Sequence, residues 1–329
     1  VNVVIYYPVL GGGGCEKRLA ELGRWLLENG DEVWIAAAYL TTDIAPSIMC
    51  GQCGFPWHRI RFMEPGGSIE DHVVNVCREV EADILDVQWV EPLPAEFPCR
   101  AVYTTHGITQ PLPLRDDFSG HISVETVGPH SEHQAYAPVF GEIWNWVDLD
   151  RFRFEGRLGK GVAFFGRSFK LHPNVVALAE SGTQVDAFGF LAGGMDGLSE
   201  NINWRGFADM AHEVYRYRIV LASAQAALEA VAAGRLVICG HEQGGYTPEA
   251  SLVMPDMMPS LSARQLWYSY AAAEDADVRV AALLSRFEAA QQQDFTRERR
   301  QMRAYIEQHH DMRQQCAKVR QVYEEVLAL

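Results

Sequence analysis

At 329 residues, 48% of them hydrophobic, the chain has the apolar content for two medium-sized domains, and no apolar run approaches the roughly 18 residues of a membrane span. The seven cysteines, odd in number and scattered, point to free thiols in a reducing, cytoplasmic compartment. The net charge of −15 is uneven: residues 1–150 hold 8 Lys+Arg against 22 Asp+Glu (−14) and residues 151–329 hold 20 against 21 (−1), so the first part repels phosphate backbones and anionic lipid headgroups and tolerates neutral or cationic partners.

The opening run VNVVIYYPV ends in Gly11–Gly14 and reads as a first strand, not a signal peptide. KRLAELGRWLLENG (17–30) then puts Leu19, Leu22 and Leu26 on one helical face and stops at Gly30. EVWIAAAYL follows as a second buried strand, and the strand–helix–strand start predicts a parallel sheet. Cys50 and Cys53 form one CxxC, but no second pair has metal spacing, so no zinc site is expected. ADILDVQWV (82–90) and AVYTTH (101–106) read as further strands, with another at 141–144. The basic, glycine-rich RFEGRLGKG (153–161) reads as a joint, which divides the chain into domains at 1–150 and 151–329. After it the alternation restarts. GVAFFG (161–166) is a strand, a helix begins near Pro173, and QVDAFGF and YRIVLAS are strands. A helix over Gln225–Ala233 leads into the strand RLVICG. Residues 278–329 carry no strand signal and are expected to form long, polar, amphipathic helices packed on the outside. Within them FTRERRQMR (295–303) reads as a solvated face.

In α/β proteins ligands sit at the carboxyl ends of strands and the amino ends of the following helices, which singles out five places. The Gly11–Gly14 loop lets a ligand approach the backbone and frees helix amides for an anion, or it is simply a tight turn. Its third fingerprint position is Glu16 and not glycine, which disfavours NAD. His106 ends a strand and reads either as a contact to a sugar or reacting hydroxyl or as a structural histidine. Asn145-Trp146-Val147-Asp148 suits a ligand contact, a hinge or a plain Asx turn. Gly166-Arg167-Ser168-Phe169-Lys170 places two cations three residues apart, suited to a departing diphosphate, or is an exposed basic loop. Finally, Glu229 is read as opening a small-residue helix that ends at Gly234, where a carboxylate suits sugar or ribose hydroxyls.

Together these motifs resemble the retaining glycosyltransferases of family 4. The family's GG-x-E and GxEV look like Gly13-Gly14-Cys15-Glu16 and Gly30-Asp31-Glu32-Val33, and its T-x-H-G like Thr104-Thr105-His106-Gly107. NGVD-x-x-x-F resembles Asn145 to Phe152, G-R-x-x-x-K resembles Gly166-Arg167 with Lys170 one place closer, and EA-x-A-x-G-x-P-V-I resembles Glu229 to Ile238. The matches keep their order over about three quarters of the chain. Three departures stand out. Leu221 occupies the place of the first of two glutamates, Ser223-Ala224-Gln225-Ala226 replaces a glycine–aromatic–glycine loop that holds the donor sugar, and Trp146 replaces a glycine.

The resemblance implies a GT-B fold, two Rossmann-like domains with parallel sheets facing across a cleft. It implies transfer from a nucleoside-diphosphate sugar, UDP- or GDP-linked, with no other cofactor and no metal. Arg167 and Lys170 would stabilise the departing diphosphate and His106 would contact the donor sugar. Glu229, with Gln225 beside it, would bind the ribose. Gly206 and Phe207 would lie near the base, Gly244 and Gly245 would supply amides near the phosphates or sugar, and Gly13, Gly14, Asn145 and Gly166 would line the ligand. Acceptors in this fold bind mostly to the first domain. Its acidity and lack of basic amphipathic patches favour a soluble, neutral or amine-bearing small acceptor such as an aminocyclitol or another sugar, and disfavour nucleic acid and membrane insertion. Two other readings share these residues: a non-catalytic nucleotide-sugar-binding protein, supported by Leu221, and a nucleotide-sugar epimerase on the same fold.

Overall fold

The computed structural model describes residues 1–11, 13–89, 92–106, 115, 117–124, 137–166, 173–189, 199–239, 252–259 and 276–329. The chain divides into two compact units, Val1–Trp144 with Arg313–Leu329, and Asn145–Met312.

The first unit is built on β1 (Asn2–Tyr6), β2 (Val9–Leu10), β3 (Glu32–Ala37), β4 (Tyr39–Leu40), β5 (Ile60–Phe62), β6 (Ile84–Val87), β7 (Arg100–Thr105), β8 (Gly120–Ser123) and β9 (Val139–Glu142). Seven of these form a parallel sheet in the order β5-β3-β1-β6-β7-β8-β9, and β2 pairs with β4 separately. Val3, Val4, Ile5 and Tyr6 are all buried, as expected where helices cover both faces of a sheet. On one face Val4, Tyr6, Leu85, Val87 and Tyr103 meet Val73, Val76 and Cys77 of the helix Ile69–Glu79, whose amino end Ser68 caps by accepting from the Asp71 amide.

The last helix, Met312–Leu327, departs from expectation: all but its first residue belongs to the first unit and not to the second. Two glycines explain how it docks. A Cβ on Gly120 in β8 would lie 2.7 Å from Val326, and one on Gly141 in β9 would lie 2.5 Å from Val322. Only glycine lets the helix approach that closely. Arg320 fixes its register by pairing with the buried Asp31 at 3.0 Å.

The second unit carries β10 (Gly161–Gly166), β11 (Val185–Gly189), β12 (Ile202–Gly206), β13 (Tyr217–Ala222) and β14 (Leu236–Cys239) in a parallel sheet of order β12-β11-β10-β13-β14. One core, with Val220, Val237, Leu228 and Val231, lies under the helix Ala224–Ala232 and the helix Thr296–His309. The other, with Val175, Ile219 and Ile238, lies under the helices Pro173–Glu180 and Ala276–Gln292.

The segment 153–161 is stitched into this unit and is no loose joint. The helix Ala224–Ala232 ends in a Schellman turn: Arg235 N–H reaches Ala230 O and Gly234 N–H reaches Val231 O, with Gly234 at φ +76°. Its last carbonyls then meet three guanidinium groups. Arg303 donates to Ala232 O and Phe152 O, Arg235 to Ala233 O, and Arg299 to Gly234 O. Arg235 and Arg299 continue to the carbonyls of Glu155, Gly156 and Arg157. FTRERRQMR is therefore solvated only in part, at Arg297, Arg300 and Gln301. Arg299 is buried because orphan carbonyls at a helix end need donors and carry negative dipole charge, and Met302 because it packs in the apolar core.

Candidate functional site

The carboxyl edge of the first sheet opens with the glycine loop. Gly14 is the first residue of the helix Gly14–Glu28, and Gly13 precedes it in extended conformation. The buried Glu16 carboxylate accepts the Gly11 amide at 2.7 Å and the Gly13 amide at 2.8 Å. Glu16 therefore braces the loop, taking backbone donors that an anion would otherwise have to satisfy.

His106 follows β7 and stands at the end of a buried polar chain. Asp86, fully buried in β6, accepts from Thr104 Oγ1 at 2.7 Å, Gln88 Nε2 at 2.6 Å and Tyr323 Oη at 2.6 Å. Gln88 Oε1 is in turn the partner of His106 Nε2. Burial pushes the Asp86 carboxyl up, while these three hydrogen bonds and the nearby Arg18 pull it back. Burial and the Arg18 charge hold the His106 imidazole well below its ordinary range, so it is neutral at physiological pH. Burial and the neighbouring Asp86 raise the Tyr323 phenol, which stays a hydrogen-bond donor.

The composition of this edge is aromatic. Trp89, 46% exposed, meets Tyr7 edge-on with ring centroids 5.9 Å apart, and Val9, Tyr39 and Leu40 on β2 and β4 are exposed.

At the carboxyl edge of the second sheet, three neighbouring strands end in glycine. Gly166 pairs with Gly189, and Gly206 pairs with Phe188. Gly189 and Gly206 take φ of +137° and +74°, which favours glycine; among the described residues the space beside Gly206 is open, while the Cβ position of Gly166 is filled by the Phe164 ring. Phe207 follows Gly206 and is 40% exposed.

The helix after β13 begins at Ala224, so Glu229 lies in its second turn and does not open it. Ser223 alone separates strand from helix, and Ala224, Gln225 and Ala226 are helical, not part of a loop. Ala224 takes φ +50°, a left-handed position that glycine fills more easily. Glu229 is buried, and Gln225 Nε2 bridges its Oε1 (2.8 Å) to the carbonyl of Trp146 (2.7 Å). That bond joins the helix to the Asn145–Asp148 segment. Asn145 contributes its carbonyl, which accepts from His310 Nδ1 at 2.6 Å, while Asp148 accepts the Asp150 and Arg151 amides in an Asx turn. Leu221 lies inside β13 in the apolar core with Ile219 and Ile238, where a carboxylate would be buried among hydrocarbons.

Arg167, Lys170, Gly244 and Gly245 lie outside the described residues. Among the described residues no group of three or more His, Cys, Asp and Glu side chains is placed to hold a metal ion, and no helix is long and apolar enough to cross a membrane. Sequence reasoning missed Asp86, Gln88, Tyr323 and Gly189. The signal for the first two was present: ILDVQ sets two polar residues two apart in an apolar strand, the spacing of one sheet face.

No family model matches the sequence, and no curated protein matches it. Solved structures do match its fold. A glycosyltransferase from Rickettsia africae ESF-5 superposes with a TM-score of 0.67 at 12% identity, over 99% of this chain and 98% of that one. The fold is that of the GT-B glycosyltransferases. The pneumococcal O-GlcNAc transferase GtfA, in complex with UDP and GlcNAc, gives 0.65 at 10% identity over 99% of each chain. An alpha-glucosyltransferase in complex with UDP and a 13-mer DNA gives 0.58 at 14%, over 98% of this chain and 99% of that one.

Proposed function

We propose that the protein is a retaining glycosyltransferase that moves a sugar from a nucleoside-diphosphate sugar, UDP- or GDP-linked, to a hydroxyl of a small neutral or amine-bearing acceptor. The observation that carries this reading is the carboxyl edge of the second sheet, with Gly166, Gly189 and Gly206 in a row, exposed Phe207 at one end, and the buried Gln225–Glu229 pair on the helix after β13. Glycine ends admit a diphosphate close to the backbone, an aromatic ring suits a base, and a carboxylate suits ribose hydroxyls. Arg167 and Lys170 stabilise charge on the departing diphosphate without a metal, and Gly244 and Gly245 supply amides to it. Gly13 and Gly14 approach the donor, and His106, neutral, meets a sugar hydroxyl as a hydrogen-bond partner. The acidic balance of residues 1–150 supports a neutral or cationic acceptor over a polyanion. Binding to nucleic acid or anionic vesicles that weakens steeply with salt would overturn that choice of acceptor.

The test is thermal unfolding with UDP, GDP, ADP and TDP and their common sugars, on wild type, Arg167→Ala and Glu229→Ala. One nucleotide at about a hundred times its Kd is expected to stabilise the fold by about 2.7 kcal/mol, and both variants to lose the shift. No shift with any nucleotide in folded protein sinks the proposal. The buried Leu221 favours a second reading, binding without transfer, which predicts the same shift but no slow release of sugar from the donor to water.

A further inference from the structure

The polar chain behind His106 is directional, and its direction follows from what each group is able to donate. Asp86 sits in the middle and accepts hydrogen bonds from Thr104 Oγ1, Gln88 Nε2 and Tyr323 Oη. The Gln88 amide must therefore turn its NH2 to Asp86. That leaves its oxygen for His106 Nε2, and a carbonyl oxygen only accepts. The proton between them belongs to His106. A neutral imidazole carries one N–H, so the second nitrogen, Nδ1, has the lone pair. Among the described residues, Arg18 and Cys15 from the first helix, Asp86 from β6, Thr104 and Thr105 from β7, His121 from β8 beside Thr105, and Cys316 and Tyr323 from the last helix are polar or titratable groups of this cluster, and Arg18 disfavours protonation of the ring.

We propose that Gln88 is the positioning residue of His106. It fixes the imidazole proton on Nε2 and makes Nδ1 a hydrogen-bond acceptor, and Asp86, held by Thr104 and Tyr323, determines which way the Gln88 amide faces. The inference rests on the transferase reading for its consequence, that His106 accepts a hydroxyl of the sugar and does not donate to an anion. The hydrogen-bond assignment itself is independent of that reading. It also gives the last helix a part in the site, because Tyr323 lies 237 residues from Asp86 in sequence and reaches it directly.

The experiment is long-range proton–nitrogen NMR on protein labelled with 15N-histidine, with the His106 signals assigned by their loss in His106→Asn. Wild type is expected to show protonated Nε2 and unprotonated Nδ1 at about pH 8, and to keep that state as pH falls through about 6.5, where an ordinary histidine titrates. Gln88→Leu removes the acceptor, and the two tautomers should then exchange. Gln88→Glu puts a carboxylate beside Nε2 and should raise the His106 midpoint by about one unit or more. If the transferase reading holds, Gln88→Leu also lowers kcat about tenfold while the affinity for the nucleotide alone stays within about twofold. A wild-type proton on Nδ1, or titration near about pH 6.5, overturns the proposal. Should Gln88→Leu fail to fold, the wild-type spectrum decides by itself. The stated tautomer in a protein without turnover supports the assignment and overturns the transferase reading alone.

Discussion

His106 ties the pH dependence of stability to the chemistry of the site. In the unfolded chain a histidine titrates near about pH 6.5, whereas burial and Arg18 hold His106 well below that in the fold. As pH falls through about 6.5 the unfolded chain takes up a proton that the folded protein refuses, so this group's contribution, complete above that pH, is lost at up to about 1.4 kcal/mol per pH unit until the folded value is reached. Asp86 acts in the opposite sense. Its carboxyl is raised, so the fold keeps a proton longer than the unfolded chain, and stability from that group declines as pH rises above the ordinary carboxylate range. Comparing wild type with His106→Asn separates the two, since Asp86 is common to both. Urea unfolding at about pH 7.5 and about pH 5.5 should show wild type losing about 1.4 kcal/mol more than the variant. Equal losses would mean that His106 titrates in the fold as it does in the unfolded chain, contrary to the reading of Nδ1 as an unprotonated acceptor.

At the scale of elements, the end of the helix Ala224–Ala232 matters more than its length suggests. Its final carbonyls, and those of 155–157, depend on Arg235, Arg299 and Arg303, none of which meets these backbone groups through a carboxylate. Burial and the like charge of Arg235 lower the Arg299 guanidinium to about 10, which reflects how little water reaches it. Arg299→Met should destabilise the second unit by about 3 kcal/mol, because it strands the carbonyls of Gly234, Glu155 and Gly156. The exposed Arg297 and Arg300 provide the control, and their Met variants should stay within about 0.5 kcal/mol in denaturant unfolding. A small effect at Arg299 would show that water replaces the guanidinium there. This is also where sequence reading reached its limit. Apolar period and glycine punctuation marked β10, β13, β14 and the helix between the last two nearly to the residue. The same logic labels Arg299 and Arg303 as solvated, since their partners are carbonyls 65 or more residues away that carry no sequence signature. The residues proposed for the donor side stand out in the sequence, whereas the link from Asp86 to the last helix does not. Glycines and Glu229 cluster along the chain, whereas Tyr323 meets Asp86 only once the fold has formed.

For the whole molecule, the return of the last helix makes the first unit discontinuous and leaves the second continuous. Asn145–Met312 contains every residue of its own sheet and cores, whereas Val1–Trp144 needs Arg313–Leu329 to complete its covering. On that helix Cys316, Val319, Val322, Tyr323 and Val326 are buried. At about 1.5 to 3 kcal/mol for each large apolar side chain, their removal costs more than about 5 kcal/mol, comparable with the whole stability of a domain. A chain ending at Met312 should therefore lose the first unit and keep the second. Limited proteolysis should cut within 1–144 and leave a fragment that begins near Asn145, and calorimetry should retain one cooperative transition. If the nucleotide binds at the carboxyl edge of the second sheet, that remaining transition should still shift with the nucleotide that stabilises wild type, while transfer of sugar to an acceptor disappears with the first unit. A truncated protein whose surviving transition no longer responds to that nucleotide would place essential donor contacts in the first unit, and would make Gly13, Gly14 and His106 the residues to examine next.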